Sequence, residues 1–120
     1  MDLLDKLTAK CPAAHFSVSD TQTMIEEDGH LATTRKVTFE HIGTAVLKID
    51  KSLFVVERDA LQATADSAPV EVCDGAIATE IPHRFIGYVE LKSKCSQNKV
   101  IKARGQIMAS YHHMLAIERQ

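Results

Sequence analysis

Apolar residues along the chain fall into stretches of period two and stretches of period three to four, and the changes of period predict its elements. Leu3, Leu4 and Leu7 form one stripe of a short helix over Asp2–Lys10, stopped before Pro12. Phe16 and Val18 lie two apart in Ala13–Ser19, which predicts a short edge strand. Asp28-Gly29 is a two-residue turn signal, so Thr21–Glu27 and His30–Glu40 read as a hairpin, with Val37 and Phe39 on one face. Thr23–Glu27 as a turn of helix capped by Asp20 or Thr21 is the alternative. Gly43 breaks the run, and Thr44–Ile49 and Leu53–Glu57 read as two strands around Asp50-Lys51-Ser52. Asp59 is placed as N-cap of a short helix over Ala60–Ala65, and Ser67-Ala68-Pro69 as a linker.

Two stretches stand out in the second half. Val70–Lys94 reads as two strands joined by a short loop containing Pro82. Lys99–Glu118 reads as a long helix, with Val100, Ala103, Ile107, Tyr111, Met114 and Leu115 as its core stripe. Lys99, Lys102, Gln106 and His113 fall on another face of it. Gly105 inside this helix costs up to about 1 kcal/mol against alanine, which predicts close approach of another backbone.

Composition narrows the class. A chain of 120 residues, 45% hydrophobic and 25% charged, is that of one soluble globular domain over residues 1–120. The net charge of −2 gives no overall basic signal, but Arg84, Lys92, Lys94, Lys99, Lys102 and Arg104 crowd a segment holding a single acid, Glu90. That local excess suits a polyanionic partner. Cys11, Cys73 and Cys95 are an odd set without a signal-peptide pattern, which points to a reducing, cytoplasmic setting rather than a disulfide framework. No run approaches the roughly 20 apolar residues of a membrane span.

Candidate chemistry sits in Val70–Lys94. Residues two apart on a strand share a face, so Glu90 and Lys92 point the same way and Leu91 points into the opposite layer. If the two strands pair antiparallel, Asp74 joins them. Two carboxylates and an ammonium are a poor core but a good place for a divalent metal beside a phosphate. Mg²⁺ or Mn²⁺ prefers oxygen: Asp74 and Glu90 supply carboxylates, and the Leu91 carbonyl lies between the two functional side chains as a third ligand. Lys92 is placed to orient or deprotonate the attacking water, or to stabilise transition-state charge. A zinc site from Cys73, Cys95, His83 and His112 lacks the close ligand pairs such sites use. Cys73 reads instead as a buried structural thiol.

Cys73-Asp74-Gly75, then Tyr88-Val89-Glu90-Leu91-Lys92-Ser93, then a helix, resembles the PD-(D/E)xK nuclease superfamily in order and spacing. The resemblance covers Val70 to about Tyr111. It implies a restriction-endonuclease-like α/β fold, with a central mixed β-sheet flanked by helices, here behind a strand-rich N-terminal half. It implies metal-dependent hydrolysis of phosphodiester bonds in DNA, with RNA second, by Asp74, Glu90 and Lys92. Gln106 resembles the helix glutamine of some branches, where it contacts substrate or the site. Lys94, Lys99 and Lys102 are then the nucleic-acid contacts. An upstream acid of the family type has four candidates, Glu26, Glu27, Glu40 and Glu57. The family's proline before the acid is displaced to Pro69, and Ser110 stands where an aromatic follows the glutamine.

Two other readings stay open: a nuclease-like module that binds nucleic acid or assembles without cutting, and a small α+β interaction protein with an accidental ExK. The fold it resembles closes with a strand after the helix. With Met114 and Leu115 left uncovered, a homodimer through the C-terminal half of that helix is expected.

Overall fold

The computed structural model describes residues 1–27, 35–63, 70–81, 83–92 and 96–120. It is a small α/β fold with a four-stranded antiparallel sheet and three helices. The expected mixed sheet is corrected, since every neighbouring pair in the order β1-β4-β5-β6 is antiparallel. These strands are β1 (Phe16–Ser19), β4 (Val46–Asp50), β5 (Gly75–Thr79) and β6 (Phe85–Val89). A separate hairpin pairs β2 (Gln22–Glu26) with β3 (Lys36–Glu40), as the alternation predicts. The Asp28-Gly29 turn lies outside the described residues. Among the described residues, four of the six strands precede residue 51, so the N-terminal half is strand-rich as expected.

Helix α1 (Asp2–Thr8) buries Leu3 and Leu7. Helix α2 (Lys51–Gln62) overturns the expected hairpin around Asp50-Lys51-Ser52, the expected strand Leu53–Glu57 and the expected helix start at Asp59. The β-rich composition of Leu53–Glu57 suggested a strand. The Asp50 carboxylate instead accepts the Ser52 amide at 3.1 Å and caps a helix whose Leu53 and Phe54 enter the core. Local capping and burial outweigh a strand propensity worth only tenths of a kcal/mol per residue.

Helix α3 (Gln97–Glu118) begins two residues before the expected start, capped by Ser96. Its buried face is Gln106, Ser110, Met114 and Ile117, whereas Val100 and Tyr111 of the expected stripe are exposed. The rotation has a polar cause. The segment leading into β5 carries backbone groups that no strand pairs. Ser110 Oγ accepts the Cys73 amide at 2.9 Å, and Gln106 Nε2 donates to the Val72 carbonyl at 3.3 Å. Buried backbone must be satisfied, so two polar residues take core positions.

The expected close approach at Gly105 is not there, because a Cβ added to it meets nothing within 4 Å. Gly105→Ala is therefore expected to stabilise the protein by about 0.5–1 kcal/mol. The check is a higher urea midpoint with unchanged slope. A lower midpoint would mean that something does pack on that face.

One face of the last turns of α3 is covered within the chain. Met114 and Ile117 pack in one core cluster with Leu3, Leu7, Leu47, Leu53 and Phe54. Lys10 Nζ donates to the carbonyls of Ile117 and Glu118, at 3.1 and 3.2 Å, and closes the helix end. Of the two residues that motivated a homodimer through this part of the helix, Met114 is buried within the chain and Leu115 is half-buried. Among the described residues no helix is long and apolar enough to cross a membrane.

Candidate active site

The sheet register assembles the site at one end of three adjacent strands. Gly75 pairs with Val89 at the end of the β5–β6 ladder, and Asp74 and Glu90 are the next residues beyond it. Asp50 pairs with Gly75 at the end of the β4–β5 ladder, and Lys51 is the next residue there. Lys51, Asp74 and Glu90 therefore leave three neighbouring strands side by side. Glu90-Leu91-Lys92, expected on the strand itself, lies just beyond its last residue, Val89, and Lys92 is brought back to Glu90 by their ion pair.

The contacts agree with this placement. The Asp74 amide donates to the Val89 carbonyl at 2.9 Å. Asp74 Oδ2 accepts the Leu91 amide at 2.8 Å, and Oδ1 lies 3.6 Å from Lys51 Nζ. Glu90 Oε2 lies 3.0 Å from Lys92 Nζ. Asp74 and Glu90 line the same cleft, and the Asp74 carboxylate is near enough to raise the pKa of Glu90. Each of these two side chains is only 3% exposed. Glu90 Oε1 is buried without a hydrogen-bond partner. Leu91, expected as a carbonyl ligand, makes its contact with Asp74 through its amide.

Burial, chiefly, holds the Glu90 carboxyl above its ordinary range, against the opposing pull of Lys92 and with the help of the neighbouring Asp74. The consequence for stability has a definite sign. A carboxyl whose pKa rises on folding is penalised when ionised. Stability is then highest below the unfolded value of about 4.3, falls as pH rises through the folded pKa, and is flat above it. In chelator, Glu90→Gln is expected to melt higher than the wild type at pH 7, with the gap closing towards pH 4. A variant that melts lower at pH 7 would show that the ion pair with Lys92 outweighs burial.

The strand ends open into a cleft of about 410 Å³. Among the described residues it is lined by the cations Arg35, Lys51, Arg58, Lys92, Lys99 and Lys102 and by four carboxylates, Glu27, Glu71, Asp74 and Glu90. Positive charge exceeds negative, as a phosphate-bearing ligand requires. Gly75 lets the β2–β3 hairpin form one lip. A Cβ at Gly75 would stand 3.3 Å from the Ile49 carbonyl and 3.4 Å from the buried Ile25 side chain of β2. The hairpin's end brings Glu27 and Arg35, which pair with each other, over the site. Of the four candidate upstream acids, Glu27 is the one lining the cleft.

Asp74, Glu90, Lys92, Gln106, Lys99 and Lys102 are all brought to this cleft. Gln106, expected at the site, lies in the cleft wall. It is 6% exposed, and its Oε1 is a second buried oxygen without a partner. Lys102 pairs with Glu71 at 3.3 Å. Lys94 and Cys95 lie outside the described residues. Cys73 is buried, its thiol pushed up mainly by that burial, in keeping with a structural role.

Lys51, Arg58, Arg35 and Glu71 were not singled out from sequence. A signal for Lys51 did exist: with Asp50 read as a helix cap, Lys51 opens a helix beside the strand ends. Among the described residues no group of three His, Cys, Asp or Glu side chains is disposed to hold a metal. Two carboxylates suffice for Mg²⁺, which keeps several waters. No protein-family model matches the chain, and neither a curated protein nor a solved structure matches it.

Proposed function

We propose that this protein is a metal-dependent nuclease that hydrolyses phosphodiester bonds of DNA or RNA, built on a restriction-endonuclease-like arrangement. One observation carries the reading: Asp74 and Glu90 converge at the ends of adjacent strands in a net-cationic cleft, with Lys92 3.0 Å from Glu90. Burying two carboxylates against each other destabilises a fold, and a divalent cation relieves it. The orphaned Glu90 Oε1 fits that role as an open ligand position.

Asp74 and Glu90 would hold Mg²⁺ or Mn²⁺, with the Leu91 carbonyl as the third protein ligand. Such an ion would supply neutralisation of phosphate charge and a lowered pKa for a coordinated water. The Leu91 amide keeps Asp74 in one rotamer through its 2.8 Å hydrogen bond. Lys92, aligned by Glu90, presents its ammonium to the phosphate as negative charge develops there. Lys99 and Lys102 on α3 steer the polyanion towards the cleft.

The test is incubation of labelled DNA and RNA with the purified protein. Strand cleavage is expected with Mg²⁺ or Mn²⁺ and none with chelator. A second reading, a binding module of this shape that does not cut, draws on one observation. Lys51 and the Leu91 amide already engage both Asp74 oxygens, and Lys92 engages one Glu90 oxygen. Oligonucleotide binding without cleavage under any divalent metal would favour it.

A further inference from the structure

Lys51 pairs with the buried Asp74 carboxylate, but only loosely. It is the first residue of α2, at the helix end where the backbone dipole repels cations and favours acids. The cap there is supplied by Asp50, not by Lys51. Asp74 does not depend on Lys51 for its orientation either, since Oδ2 is fixed by the Leu91 amide at 2.8 Å. The Lys51–Asp74 separation of 3.6 Å is longer than the 2.7–2.9 Å or so of a tight charge-assisted hydrogen bond. Lys92 sits closer to its partner, at 3.0 Å, and is less exposed, 21% against 35% for Lys51. The cleft thus holds two lysines of different character on the two sides of one carboxylate pair. Lys92 is held close, while Lys51 is loosely tethered and faces the space a ligand would occupy.

The geometry points to Lys51 as a second phosphate-contacting residue, taking a non-bridging phosphate oxygen on the Asp74 side of the pair while Lys92 serves the Glu90 side. This rests on the cleft being a phosphodiester site, whether or not it cuts. The long, flexible lysine stem lets the ammonium leave Oδ1 without moving α2. An ammonium suits this exchange, because it is a compact charge that can trade a carboxylate for a phosphate without a fixed fork geometry.

The experiment is fluorescence anisotropy of a labelled oligonucleotide in chelator across a salt series, for wild type, Lys51→Ala, Lys51→Arg and Lys6→Ala. Lys6 is an exposed lysine paired with Asp2 outside the cleft, and it controls for loss of one surface charge. Lys51→Ala should weaken binding about tenfold and make the slope of log K on log salt shallower by roughly one contact. Lys51→Arg should keep the slope, and Lys6→Ala should match the wild type. Melting curves establish that each variant is folded. An unchanged slope and affinity in folded Lys51→Ala would overturn the proposal and leave the nuclease reading intact. Wild type that binds with the expected Lys51 effect yet never cuts would overturn the nuclease reading alone. Wild type that binds no oligonucleotide, either in chelator or with Ca²⁺ in place of Mg²⁺, would overturn both.

Discussion

Asp74→Asn and Glu90→Gln are each expected to lower cleavage by about 10²-fold or more, and Lys92→Ala by a similar factor. The amide variants keep volume and polarity and remove only the negative charge. At position 74 the remaining carbonyl oxygen can still accept the Leu91 amide, so the strand ends stay in register. At position 90 the effects on stability and activity should have opposite signs. Burial holds the Glu90 carboxyl above its ordinary range, so removing its charge relieves a cost at neutral pH while cleavage is lost. That opposition marks a residue kept for chemistry rather than for folding. Single-turnover rates at saturating metal are the measurement. Cleavage surviving all three substitutions would place the activity at another site.

Phe54→Ala is expected to cost about 3–5 kcal/mol of folding stability. Phe54 is fully buried in the core cluster, and its ring centroid lies 6.2 Å from that of Tyr88. Tyr88 lies on β6, two residues before Glu90, and Phe54 is three residues after Lys51 on α2. The contact therefore ties the helix that carries Lys51 to the strand that leads into Glu90. A domain of this size has only about 5–15 kcal/mol in total, so the variant should unfold at a much lower urea concentration. Phe54→Leu, which leaves a smaller void, should lose considerably less. A loss below about 1 kcal/mol in Phe54→Ala would mean that α2 is not anchored by this side chain.

What was legible in the sequence, and what was not, follows from the range of the interactions involved. Glu90 and Lys92 were expected together from the period of a strand, and they do meet, although both lie just beyond the end of β6. Local period also made the β2–β3 hairpin and the stripe Leu3 and Leu7 legible. The convergence of Asp74 with Glu90 needed one further assumption, an antiparallel pair, which the β5–β6 ladder meets. Lys51 required the register of a third strand, β4, and was hidden by reading Leu53–Glu57 as β-forming. The buried face of α3 was misread because apolar spacing cannot see that Gln106 and Ser110 satisfy the backbone of Val72 and Cys73. The mixed sheet was implied by the resemblance, whereas the strand pairing is antiparallel throughout.

The most direct measurement is Mn²⁺ binding followed by the loss of free-ion electron paramagnetic resonance signal on titration with protein. Wild type should take up Mn²⁺ saturably, Mg²⁺ should compete, and the Asp74→Asn, Glu90→Gln double variant, folded by its melting curve, should take up none at that site. Equal uptake by wild type and the double variant, or none by either, would contradict a divalent-cation site between Asp74 and Glu90.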